Sequence, residues 1–136
     1  MKKYIVAIIL PVLFAFVLSA CTKNNLPIDE DGMLITERAE CHVSNFDILG
    51  PDFVTVRSKA VTIDTTALTI DVEEQFGTDL KNLYPQFTLA PDCKLDPKIT
   101  GKVDFSNLGD PKVYTVVSGN RQIRKGYTIN LTVQPR

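Results

Sequence analysis

Three cysteines and a single histidine are the side chains of this chain best suited to covalent or acid–base chemistry. The first cysteine has the most specific setting. Cys21 closes the run Leu18-Ser19-Ala20-Cys21, behind an almost uninterrupted apolar stretch from 4 to 19 that itself follows Met1-Lys2-Lys3. A charged start, a greasy stretch, small residues at the cut and a thiol behind them make a secretory signal of the bacterial lipoprotein type. Cleavage before Cys21 would free its amino group, and acyl chains on sulfur and nitrogen would then anchor the protein. Each buried methylene contributes about 0.8 kcal/mol and one chain is marginal, so two or three give a stable anchor. A spanning helix is the competing reading, but the stretch is shorter than the roughly 20 residues required, and Pro11 interrupts it.

Cys41 and Cys93 are then left as an even pair in an oxidising compartment, where disulfides form and persist. Buried free cysteines also serve as small hydrophobes, so the pair is either a bond or two core residues. His42 is followed by Ser44 and Asp47, the residue types of a catalytic triad. Strand alternation puts His42 and Ser44 on one face and Asp47 on the other, so the triad geometry is not expected. Cys41, His42 and Cys93 lack the paired short spacings of structural zinc sites. Asp71, Glu73 and Glu74 could attract calcium, yet Asp71 and Glu73 read as a solvated strand face. Gly77 and Gly101 are isolated, and no phosphate-binding loop occurs. Accordingly no catalytic residue, metal or cofactor is expected, and the chain is read as a non-enzyme.

The elements that must position these residues are strands. Val61, Ile63, Leu68, Ile70 and Val72 alternate within two short runs, and Val113, Thr115 and Val117 alternate with Tyr114, Val116 and Ser118. The cleanest period of two is Tyr127, Ile129, Leu131 and Val133. Gly50-Pro51, Tyr84-Pro85, Ala90-Pro91, Asp96-Pro97 and Asp110-Pro111 punctuate the runs and are expected at turns or strand edges. Gly119-Asn120 is expected to supply the positive φ angles of a tight hairpin. One helical turn is expected over 78–83, capped by Thr78 with Leu80 and Leu83 three apart. The fold class that follows is all-β, an immunoglobulin-like β-sandwich of about seven short strands. Residues 1–20 are assigned to the signal, 21–37 to the lipidated N-terminus and a flexible tether, and 38–136 to the sandwich. Lys2 and Lys3 account for two of the 15 basic residues, leaving 13 against 16 acidic ones. No clustered basic stripe is present, which argues against nucleic acid as a partner.

The ordered pieces Gly77-Thr78-Asp79-Leu80, Leu83-Tyr84-Pro85, Leu95-Asp96-Pro97, Asp104-Phe105-Ser106, Tyr114-Thr115-Val116 and Tyr127-Thr128-Ile129 resemble a small immunoglobulin-like domain of unknown function found in Bacteroidetes lipoproteins. The resemblance covers 76–133 and departs at the hairpin, where Ser118-Gly119-Asn120-Arg121 replaces the usual acidic residue and glycine. It implies a fold and a compartment, and no catalytic residues. In that setting the acidic cluster Asp29-Glu30-Asp31 is either a solvated linker or a surface-sorting signal. Asp64-Thr65-Thr66 fits the short pattern at which such bacteria attach O-glycans, making Thr65 a candidate modification site.

The expected function is a lipid-anchored, non-enzymatic binding or interaction module at the outer membrane, on its periplasmic or cell-surface face. One alternative is a glycan-binding accessory protein of a polysaccharide-uptake system; the other is a structural subunit of a surface assembly. Partners are the membrane, through the anchor, and an unknown surface protein or glycan. The loop holding Ser106, Asn107 and Asp110 is the candidate binding loop, being long for a hairpin connection and rich in Asp, Gly and Pro. The segment after Pro91 is a second candidate. Tyr84 and Phe105, beside turns, are the two aromatics that could offer a ring to a sugar, and core or hairpin support is the reading preferred for both. Cys21→Ala should release or mislocalise a protein that is otherwise tightly membrane-bound. Membrane fractionation checks this, and a variant that stays bound counts against the anchor.

Overall fold

The computed structural model describes residues 26–136, so Cys21 and the signal before it lie outside the described residues. The expected fold class holds. Among the described residues there are seven strands and no helix: β1 (Val43–Leu49), β2 (Thr62–Asp64), β3 (Thr69–Glu74), β4 (Tyr84–Leu89), β5 (Lys94–Asp96), β6 (Lys112–Val117) and β7 (Arg124–Val133). They form a β-sandwich of two sheets. One is the antiparallel pair β1-β4, and the other has the order β2-β3-β7-β6-β5.

The strong alternation of β7 explains its place. Tyr127, Ile129 and Leu131 point into the core. The strand pairs antiparallel with β6 on one side and parallel with β3 on the other, Thr69 opposite Thr128 and Val72 opposite Leu131. The apolar faces of both sheets meet in one cluster that includes Phe46, Ile48, Ile70, Val72, Val116 and Tyr127. A chain of rings crosses it. Phe46 meets Phe87 edge-on at 4.9 Å between centroids, and Phe87 meets Tyr114 at 5.1 Å. Such pairs add about 0.5–1.5 kcal/mol each beyond the area they bury.

Two local expectations are corrected, the helical turn and the hairpin glycine. Over 78–83 there is one long hydrogen-bonded turn, Asn82 N–H to Asp79 O at 3.4 Å, in place of a helical turn capped by Thr78. The Thr78 hydroxyl donates back to the Gln75 carbonyl at 2.6 Å instead of capping forward, and Leu83 is drawn into a two-way backbone pairing with Val103. Tyr84-Pro85 takes the strand-edge alternative and opens β4, with Pro85 opposite Ile48. The missing proline N–H is tolerated because β4 has a single strand partner and an outer edge. At the β6-β7 connection the positive φ belongs to Arg121 (φ 61°), not to Gly119 or Asn120. Its guanidinium compensates by donating to the carbonyls of Ser118 (2.8 Å), Gly119 (3.1 Å) and Asp92 (3.2 Å).

Residues 26–34 belong to a separate unit that ends at Leu34, and the sandwich unit begins at Ile35. In the former, the acidic cluster is shaped by Asp29. Its carboxylate accepts the N–H groups of Asp31 (3.0 Å) and Met33 (2.9 Å), and Gly32 takes the left-handed conformation that closes the turn.

In the sandwich unit, residues 36–41 run across the β6-β7 connection. Thr36 N–H donates to Gly119 O and Asn120 N–H to Arg38 O, both at 2.9 Å, while Arg38 pairs with Asp92 at 3.3 Å. The close approach explains the glycine. A Cβ at position 119 would stand 2.5 Å from Thr36 Oγ1 and 2.9 Å from Asp92 Cβ. Gly119→Ala should therefore destabilise the sandwich by about 1–3 kcal/mol, the usual cost of forced overpacking. A urea titration checks this, and an unchanged midpoint would mean that the 36–41 segment does not dock as described.

Candidate functional site

Most of the chemistry-bearing residues are held apart. His42 lies just before β1 and Asp47 within it, five positions and roughly 16 Å apart at strand rise. The Ser44 hydroxyl donates to the Thr88 carbonyl at 3.0 Å. Asp71 accepts from the Asn130 amide at 2.9 Å, Glu73 faces Lys59 at 3.7 Å, and Glu74 is buried on the opposite face of β3. No group of three or more His, Cys, Asp or Glu among the described residues is placed to hold a metal ion. Thr65 sits exposed in the β2-β3 turn, where Asp64 accepts the N–H groups of Thr66 and Ala67, both at 2.9 Å. Cys41 and Cys93 are both buried and stand as thiols.

Ser106, Asn107 and Asp110 are exposed on a loop that is anchored rather than free. Phe105 is buried, and its N–H donates to Leu80 O at 2.8 Å. Lys112 Nζ lies 5.8 Å from the centre of the Phe105 ring. The loop leaves a depression of about 50 Å³ above Ile129 and Leu131.

The feature that does suit a ligand lies where β1 ends and β4 begins. Leu49 pairs with Tyr84, and the chain leaving β1 turns tightly: Phe53 N–H donates to Gly50 O, and Gly50 N–H donates to Val54 O, both at 2.9 Å. A further bridge, Leu49 to Thr55, closes this small hairpin. Phe53 occupies its left-handed position (φ 62°), which glycine or asparagine ordinarily takes. Its ring is 65% exposed, more than any other large apolar side chain described, and leans on Tyr84 at 4.7 Å with 32° between planes.

Leu68 also has a positive φ, but its side chain packs against the core and so has a folding reason to be there. Phe76 is exposed too, yet the Arg136 guanidinium lies 5.9 Å from the centre of its ring. Phe53 and Tyr84 together form an open aromatic shelf, with Val54 exposed beside it. Sequence reading singled out Tyr84 as an aromatic beside a turn and missed Phe53. The signal available was a bulky aromatic in the Gly50-Pro51-Asp52 turn, where its side chain has no core to fill.

Beneath the shelf lies a charged prop. Asp47 Oδ1 accepts the Thr55 hydroxyl at 2.7 Å and pairs with Arg57 Nε at 3.0 Å, while Arg57 also donates to Phe46 O at 3.2 Å. Arg57 pairs through its backbone with Glu74, whose carboxylate is buried with no hydrogen-bond partner on either oxygen. Burial, reinforced by the charge of Asp47 and opposed by Arg57, pushes the Glu74 carboxyl up to about 7. The exposed carboxylates are instead held below their usual range, Asp64 by the N–H groups of Ala67 and Thr66 and Asp104 by the side chain and then the N–H of Ser106.

The fold and the shelf define a small β-sandwich that carries an open aromatic surface. Residues 52–131 match the family model described as SGBP, N-terminal, and the chain belongs to that family, a domain of Bacteroidetes surface proteins. The match starts well ahead of the 76–133 stretch and takes in Phe53. Among solved structures, the chain is similar to a candidate glycoside hydrolase from Bacteroides thetaiotaomicron, at 26% identity and a TM-score of 0.59, covering 74% of this chain and 27% of that one. It shares its fold with a candidate secreted protein from Bacteroides fragilis (11% identity, TM-score 0.52, 71% of this chain and 97% of that one). A DUF4623 family protein from Bacteroides eggerthii is a third neighbour (18%, TM-score 0.53, 71% and 22%). The chain thus spans about a quarter of the length of two of these proteins. No curated protein matches it.

Glu74 sets a pH dependence whose sign is fixed. Below its unfolded value near 4.5 both states carry the proton; between there and about 7 only the folded state keeps it. Unfolding then releases a proton, so stability falls as pH rises through this window, by at most about 1.4 kcal/mol per pH unit for one group. Glu74→Gln should be more stable than the wild type at about pH 8 and no more stable at about pH 4. Urea midpoints at several pH values check this, and parallel curves for the two proteins would contradict it.

Proposed function

We propose that this chain is a lipid-anchored, non-enzymatic glycan-binding accessory of a polysaccharide-uptake system, built on an immunoglobulin-like module at the outer membrane. The observation that carries the reading is Phe53, a bulky ring held in a left-handed turn position and turned outward onto Tyr84. A left-handed backbone costs a non-glycine residue about 1–2 kcal/mol, and an exposed ring returns little of it to folding. Local strain spent on displaying an apolar surface points to a ligand. The flat, C–H-rich face of a pyranose is a natural match for such a ring, and Tyr84 adds a hydroxyl at the shelf's edge. Membership of a glycan-binding family supports the same reading. The loop with Ser106, Asn107 and Asp110 is rooted beside Tyr84 through the Leu83–Val103 pairing, and it offers hydroxyl, amide and carboxylate groups for sugar hydroxyls.

Val54, 57% exposed beside Phe53, supports a second reading in which the shelf meets a protein of the uptake assembly. Affinity electrophoresis through a panel of bacterial, plant and host polysaccharides separates the two. The wild type should be retarded by at least one polysaccharide, and Phe53→Ala or Tyr84→Ala should weaken that binding about tenfold or more, equivalent to about 1.4 kcal/mol. Phe53→Gly, which relieves the strained turn, should lose binding while melting within a few degrees of the wild type. Retardation left unchanged in Phe53→Ala/Tyr84→Ala would overturn the shelf. A wild type that no polysaccharide retards would turn the assignment toward the protein partner.

A further inference from the structure

We infer that Cys41 and Cys93 form a disulfide in the exported protein, fastening the two-stranded sheet to the edge of the five-stranded one. The two residues occupy corresponding places in the fold. Cys41 lies just before β1 and Cys93 just before β5, and both are buried. The turn from Ala90 to Cys93 is tied to the entry of β1 by Ala90 N–H donating to His42 O at 3.0 Å, and it closes on itself by Cys93 N–H donating to Ala90 O at 3.1 Å. Cys93 Sγ lies 3.0 Å from the carbonyl oxygen of Glu40, the residue bonded to Cys41. Cys41 Sγ in turn faces the Val116 carbonyl at 3.3 Å and the Ile123 carbonyl at 3.6 Å, where β6 ends and β7 is about to begin.

Burial raises both thiols, and the charge of a Cys41 thiolate raises Cys93 further, which fits two sulfurs sharing one pocket. Their carriers are a chain entry and a turn, segments that can bring side chains together more easily than two paired strands can. The two sulfurs are unbonded in the structure. Bond formation would turn each side chain away from its carbonyl acceptor, within a neighbourhood whose backbone is pinned by the Ala90–His42 and Cys93–Ala90 hydrogen bonds.

Oxidation balances with one co-reactant, the disulfide of a thiol–disulfide oxidoreductase beyond the inner membrane. One cysteine thiolate attacks that disulfide, forming a mixed disulfide and releasing one oxidoreductase thiolate. The second cysteine thiolate then attacks the mixed disulfide, giving Cys41–Cys93 and a reduced dithiol enzyme. Two S–H bonds break, one S–S bond forms, and two electrons and two protons pass to the oxidant. Because both sulfurs are buried after folding, exchange belongs to the stage before the strap of residues 36–41 closes over the pocket. The inference rests on the export expected from residues 1–20, not on the glycan-binding reading.

The test has two arms. Mature protein extracted from cell envelopes in detergent is denatured without reductant, alkylated and analysed by peptide mass spectrometry. The expected result is a cross-linked pair of peptides containing Cys41 and Cys93, two hydrogens lighter than the sum and carrying no alkyl group. Both cysteines found alkylated would overturn the inference for the cell. In the second arm, which needs no export, reduced and denatured protein is refolded in a glutathione redox buffer. Protection of both thiols in the wild type is expected, together with a melting temperature that reductant lowers in the wild type and leaves unchanged in Cys41→Ser/Cys93→Ser. Two titratable thiols after refolding in oxidised glutathione would show that the folded geometry refuses the bond.

Discussion

Tyr127 ties the structure together, because a single side chain there satisfies both sheets at once. It lies in the middle strand of the larger sheet, fully buried, and its hydroxyl accepts the backbone N–H of Val43 at 3.4 Å, where the smaller sheet begins. A buried hydroxyl without a partner would cost several kcal/mol, and so would the N–H of Val43 left alone in the core. Each removes the other's penalty only when the sheets face each other in one register. The ring chain Phe46–Phe87–Tyr114 then fills the space that this register defines, and the outer strands follow from it. The two-stranded sheet has little independent stability, since an isolated strand pair is marginal in water. It persists because the larger sheet lends it an apolar face.

A second constraint follows where β1 leaves the core. The chain must reverse within a few residues, and the reversal carries Phe53 outward. The buried Glu74 and the half-buried Asp47 and Arg57 lie next to this turn, and their polar groups are only partly satisfied. Exposed aromatics, a strained turn and an unsatisfied carboxylate all work against stability, and here they gather at one end of the sandwich. A region that gives up stability in three independent ways is where a functional surface is expected. The opposite tendency governs the β6-β7 connection, where Arg121 answers its own positive φ with three hydrogen bonds.

The strands most legible in the sequence were those with one wet and one dry face. Tyr127, Ile129 and Leu131 gave away β7 by alternation alone, and Ile63, Ile70 and Val72 did nearly as well for β2 and β3. Strand β4 was harder, since Tyr84-Pro85 carries a turn signal and only the tertiary placement at an outer edge makes the proline acceptable. The helical turn expected at 78–83 relied on spacing between Leu80 and Leu83, and a long-range pairing with Val103 overrode it. At the shelf, Tyr84 could be singled out beside a turn, but Phe53 was missed. Exposure of a large ring depends on what the turn geometry forbids, and the bulky aromatic after Gly50-Pro51-Asp52 is the one local sign of it.

The parallel pairing of β3 with β7 bears on how the domain is made. The larger sheet has its last strand in its interior, with β2 and β3 on one side and β6 and β5 on the other. A nascent or translocating chain therefore cannot assemble that sheet progressively. Until the residues up to Val133 have emerged, β3 lacks its long partner and the two halves of the sheet have nothing to join them. Closure of the larger sheet is thereby deferred to the moment when β7 is delivered, so the N-terminal half of the domain waits on its last strand.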